Sequence, residues 1–75
     1  MPDLPDARPV ATLWQLAWND DRLACTVYRD LDGLQLRLES ATATILTEPF
    51  ALQPRSLARM QALRDSLKRR GWQES

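Results

Sequence analysis

Five basic side chains near the C-terminus, Arg55, Arg59, Lys68, Arg69 and Arg70, carry what binding chemistry this sequence offers. Clustered cations can hold phosphates, so a weak nucleic-acid or anion binder is one reading of the chain. Their spacing also has a plainer account. On a helical wheel Arg55, Arg59 and Arg70 line one flank of an apolar stripe, and Arg64 and Lys68 line the other. Side chains so placed lay their stems over the edge of a core and keep their charges in water. Lys68, Arg69 and Arg70 would end the helix, where cations favour the negative end of its dipole by a few tenths of a kcal/mol each.

Catalytic chemistry has little to work with. The chain has no histidine, which removes the commonest general base, the commonest metal ligand and any Ser-His-Asp triad. Cys25 is the single cysteine. It cannot build a zinc site alone, and its place in a strand pattern makes it a small buried hydrophobe. The segment "DLDG" at 30–33 echoes the start of a calcium loop, but the twelfth position, which should be glutamate, is Ala41. Asp20 and Asp21 are neighbours in a turn with no apolar pocket to raise a pKa. Gly33 and Gly71 are the only glycines, so there is no glycine-rich phosphate loop. The expectation is a protein that is not an enzyme, with no cofactor and no metal.

The totals narrow the class further. Seventy-five residues make one small domain, with a net stability on the order of 3–5 kcal/mol. One cysteine excludes an intramolecular disulfide, and no apolar run approaches a membrane span. No stretch has the layout of a signal peptide, so a soluble cytoplasmic protein is expected. The ten basic and ten acidic groups cancel but are unevenly placed. Residues 1–53 hold four basic and eight acidic groups, a balance of −4, and residues 54–75 hold six and two, a balance of +4. The zero sum argues against a general nucleic-acid binder, which usually carries a large basic excess.

Three prolines in residues 1–11 predict an extended, disordered arm. The pattern then changes to period two. In "LWQLAW", Trp14, Leu16 and Trp18 alternate with Leu13, Gln15 and Ala17, as a half-buried strand requires. "NDDR" at 19–22 is a polar turn, and "LACTVYR" follows with Leu23, Cys25 and Val27 on one face. A four-residue turn would pair Trp18 with Leu23, Leu16 with Cys25 and Trp14 with Val27. Asp32-Gly33 is a hairpin signal that would pair Val27 with Leu38 and Arg29 with Leu36. "TILT" at 44–47 suits a fourth strand ended by Pro49. Whether Ile45 or Leu46 faces inward depends on a turn length the sequence does not fix. Phe50 and Leu52 bridge to a helix, in which Pro54 suits the first position and Leu57, Met60, Leu63 and Leu67 form one stripe. Gly71 in a left-handed position would end it, with Trp72 packing back on Leu67.

A three-stranded sheet backed by one helix is similar in outline to the plant AP2-type DNA-binding domain, which reads DNA with arginines and tryptophans on its exposed sheet face. Here that face is Gln15, Ala24, Thr26, Tyr28, Gln35, Arg37 and Glu39, which is scarcely basic, and Trp14 and Trp18 fall on the opposite side. Taken together, "RLACTVYRDLDGLQLRLES" and "LARMQALRDSLKRRGW" resemble a type of short uncharacterised bacterial protein. In that type a tryptophan-bearing strand precedes two such strands and a helix closing on Gly-Trp. The resemblance spans residues 13–72 and implies a small bacterial α+β domain, with no activity and no site residue attached.

The reading is therefore a two-layer α+β domain over residues 12–72, an antiparallel β-meander of three or four strands packed against one C-terminal α-helix, with 73–75 a polar tail. The expected function is a small non-catalytic interaction module, binding a protein partner or a second copy through an exposed edge strand such as the first or the last. The alternative is the weak nucleic-acid or anion binder through Arg55, Arg59, Lys68, Arg69 and Arg70.

Overall fold

The computed structural model describes residues 7–75. The elements run β1 (Arg8–Trp18), β2 (Asp21–Asp30), β3 (Gly33–Ser40), β4 (Thr44–Pro49), α1 (Pro54–Arg69) and β5 (Gln73–Glu74). The strands form one antiparallel sheet in the order β4-β3-β2-β1-β5. The chain is thus the expected α+β meander with one C-terminal helix, extended by a short fifth strand.

Both hairpins are displaced by two residues from the expected register. Trp18 pairs with Asp21, Leu16 with Leu23 and Trp14 with Cys25. Asn19 takes φ 56°, a left-handed conformation that asparagine tolerates, so two residues reverse the chain where four were expected. In the next hairpin Val27 pairs with Leu36 and Arg29 with Leu34. Leu31 and Asp32 form the loop, and Gly33 at φ 130° opens β3. An Asp30 carboxylate oxygen accepts the Asp32 backbone N–H at 2.8 Å, which fixes where the turn starts. A two-residue shift keeps each side chain on its own face, so the apolar pattern cannot detect it.

The expected disordered arm at 1–11 is strand from Arg8 onward; residues 1–6 of that arm lie outside the described residues. Pro9 fits because the outer side of β1 carries a neighbour only at Leu16 and Ala17, where β5 pairs, and edge strands tolerate a missing N–H. Val10 and Leu13 have no partner on β2, giving β1 two bulges. A third bulge settles the question in β4. Leu46 opposes Leu38 and packs on the core, while Ile45 is the extra residue and is 59% exposed. The polar tail becomes β5 because the turn after α1 lays Gln73 and Glu74 beside Ala17 and Leu16.

The core consists of Trp14, Leu16, Leu23, Cys25, Val27, Leu36 and Leu38 from the sheet and Met60 from the helix. The helix stripe is unevenly used. Met60 is 3% exposed, Leu63 and Leu67 are half-buried, and Leu57 is 40% exposed. The Trp14 indole N–H donates to the Met60 carbonyl at 3.2 Å, and the Cys25 thiol lies 3.7 Å from the Met60 sulfur. Phe50 packs on the core and donates its N–H to the Leu34 carbonyl, but Leu52 does not bridge to the helix and is exposed. Trp18, expected in the core, sits at its margin, 47% exposed, with its ring edge-on to Trp72 at 5.6 Å.

The helix stop is as the sequence suggests. Gly71 has φ 121°, its N–H reaches the Lys68 carbonyl at 3.1 Å, and the Trp72 N–H reaches the Leu67 carbonyl at 3.1 Å. These are the two bonds of a Schellman motif.

Candidate functional site

The five candidate basic residues are split by the fold. Arg59 forms an ion pair with Glu48 on β4. The Lys68 ammonium lies 3.0 Å from Glu74, which Arg64 also approaches at 3.8 Å. These pairs join α1 to β4 and β5 across exposed surface, so part of the charge asymmetry in the sequence is internal attraction. The Glu74 carboxyl is held below its ordinary pKa by the hydrogen bond from Lys68 and then by that residue's charge. Arg55, Arg69 and Arg70 are exposed, and among the described residues none of them has an ion-pair partner. Arg55 lies at the start of the helix and the other two at its end, roughly 20 Å apart at 1.5 Å per residue. They do not make one patch.

The sheet face away from the helix carries Gln15, Ala24, Thr26, Tyr28, Gln35, Arg37 and Glu39, as the cross-strand pairs require. Tyr28, Gln35, Arg37 and Glu39 on this face are engaged with their neighbours. Tyr28 donates its hydroxyl to Glu39 at 2.9 Å, and the Arg37 guanidinium stacks over the Tyr28 ring at 4.3 Å from its centre. Arg37 Nε donates to Gln35 at 2.7 Å, and Gln35 in turn donates to Asp30. Tyr28 stands opposite Gln35, yet its hydroxyl reaches Glu39, so the ring lies along the sheet at the level of Thr26 and Arg37. That placement accounts for the burial of Thr26 on an otherwise open face. Desolvation, followed by the bond to Glu39, raises the Tyr28 pKa, and the bonds from Gln35 and the Asp32 N–H lower that of Asp30. The network braces the sheet and leaves Arg37 already stacked, which does not suit reading DNA.

Cys25 is fully enclosed. Burial, then the charge of Glu48, pushes its thiol up to about 11, so it is a packing group rather than a nucleophile. Asp20 and Asp21 are exposed at the first turn and enclose nothing.

A concave apolar feature lies on the helix side, where the end of α1 crosses the ends of β2, β3 and β4. Leu23, Leu38, Ile45, Leu67 and Trp72 line an open groove of about 400 Å³, with Asp21 and Arg22 at its rim. Trp18 stands against Trp72 at its margin. Sequence reasoning missed this site. The β4 bulge puts Ile45 in the groove lining while Leu46 packs on the core, and only the register of β3 with β4 reveals it.

The two open strand edges are blunted. The free stretch of β1 carries Pro9 and the bulges at Val10 and Leu13, and β4 carries the Ile45 bulge and Pro49. Bulges and prolines are what sheets use to prevent edge pairing. Among the described residues, no helix is long and apolar enough to cross a membrane. In comparisons with protein-family models, curated proteins and solved structures, nothing matches the chain, so the geometry of these surfaces carries the functional reading.

Proposed function

We propose that the chain is a small non-catalytic interaction module that docks a protein surface through the groove at the end of α1. The observation carrying this is an apolar concavity lined by the exposed Ile45 and by Trp72, against which the exposed Trp18 stands. Tryptophan beside a concave apolar site is the arrangement that anchors protein interfaces. The blunted edges support side-chain docking over strand addition, and the scattering of Arg55, Arg69 and Arg70 weighs against a nucleic-acid surface. One buried free thiol suits a reducing compartment, which we take to be the cytoplasm.

Solution molar mass by light scattering, at low and high salt and with and without mixed oligonucleotides, tests the reading. A mass that ignores the oligonucleotides is expected, with any self-association persisting at high salt, since apolar contacts are barely screened whereas phosphate binding weakens steeply. A mass that rises only with oligonucleotide at low salt overturns it.

A further inference from the structure

We infer that the groove is filled by a second copy of this chain, across a two-fold axis beside the Trp18–Trp72 contact. The inference rests on the interaction-module reading and names its partner. A two-fold interface uses one patch twice, so that patch must offer both a projection and a recess. Here Trp18 projects at 47% exposure, and the recess between Ile45, Leu67 and Trp72 lies next to it on the same face.

The charges beside the Trp18–Trp72 contact are self-complementary as well. Asp20 and Asp21 lie on the Trp18 side, since Trp18 and Asp21 are cross-strand partners. Arg69 and Arg70 lie at the end of α1, immediately before Gly71, whose backbone stands against the Trp18 ring. All four are exposed, and among the described residues none is in an ion pair within the chain. A two-fold axis sets the acidic pair of one copy against the basic pair of the other, twice. The zero net charge adds no long-range repulsion between copies.

The test uses the full chain and two charge reversals, Asp20→Lys with Asp21→Lys, and Arg69→Glu with Arg70→Glu. The wild type is expected to show a dimer mass in light scattering at sub-millimolar concentration, and each reversal to weaken self-association about tenfold or more at low salt. An equimolar mixture of the two reversed proteins is expected to recover the dimer, because every facing pair is then opposite in sign. Trp18→Glu is expected to remain folded by circular dichroism and to be a monomer. A wild-type monomer at every concentration, or a dimer indifferent to both reversals, overturns the second-copy inference. If that monomer also ignores oligonucleotides, the module reading stands with a different partner. A mass driven by oligonucleotide instead removes the module reading itself.

Discussion

Met60→Ala asks whether one side chain holds the helix to the sheet. Met60 is 3% exposed, its sulfur lies 3.7 Å from the Cys25 thiol, and its carbonyl receives the Trp14 indole N–H. Burying a methionine fully contributes about 1.5–3 kcal/mol, and truncation to alanine also leaves a cavity, bringing the expected loss to about 2–5 kcal/mol. Chains of this size rarely exceed about 3–5 kcal/mol of net stability, so this change should remove most of it. Leu57 is on the same helix stripe but 40% exposed, and its truncation opens no enclosed cavity. Leu57→Ala should cost roughly 1 kcal/mol. Urea titration followed by tryptophan fluorescence separates the two. With a slope of about 1 kcal/mol per molar urea for a small domain, the midpoint should fall by about 2 M or more for Met60→Ala and by about 1 M for Leu57→Ala. Equal losses, or a larger one at Leu57, would refute the reasoning and mean that the helix packs evenly along its stripe.

Gly71→Ala should destabilise by about 1–2 kcal/mol through its left-handed backbone; an added Cβ would sit an ordinary 3.8 Å from the Trp18 ring, so strain rather than collision is the cause, and Arg70→Ala at φ −88° should leave the urea midpoint nearly unchanged. Stability should fall in the alkaline range because of Cys25. Its folded pKa of about 11 exceeds the 9.0 of an unperturbed thiol, so the contribution is complete below pH 9 and is lost as pH climbs towards 11, by roughly 2–3 kcal/mol. Tyr28, also raised, adds in the same direction above its ordinary 10.0. The slope of urea midpoint against pH should flatten in Cys25→Ala, and an unchanged slope would assign the loss elsewhere. Arg59→Ala should cost less than about 1 kcal/mol, since that side chain is 65% exposed in its pair with Glu48, and a larger thermal or urea shift would show the pair to be a structural tie.

Much of the fold is legible in the sequence wherever the signal is local. Period-two alternation assigns Trp14, Leu16, Trp18, Leu23, Cys25, Val27, Leu34, Leu36 and Leu38 to one face, and the structure buries seven of the nine, leaving Leu34 half-buried and Trp18 exposed at the margin. The Pro54 start and the Gly71-Trp72 stop of α1 are also local, because the bonds of that stop close within six residues. The placement of the helix on the apolar face follows from two stripes that must cover each other.

What the sequence leaves open depends on partners distant along the chain. Register is invisible to an alternating pattern when the shift is even, which is why both hairpins differ by two residues. The bulges at Val10, Leu13 and Ile45 exist only against a facing strand. Pro9 reads as a strand breaker until β1 is seen to be unpaired on that side. The four leucine and methionine positions of the helix stripe look equivalent, yet only the way α1 lies on the sheet decides that Met60 is enclosed and Leu57 is not. Likewise the five basic residues look alike, and tertiary structure commits Arg59 and Lys68 to Glu48 and Glu74 while leaving Arg55, Arg69 and Arg70 without an ion pair among the described residues. The sequence by itself determined which face the side chains of β2, β3 and the last part of β1 take, and where the helix begins and ends. Tertiary structure alone decided which residues meet across that face, because such contacts depend on packing between segments far apart in the chain.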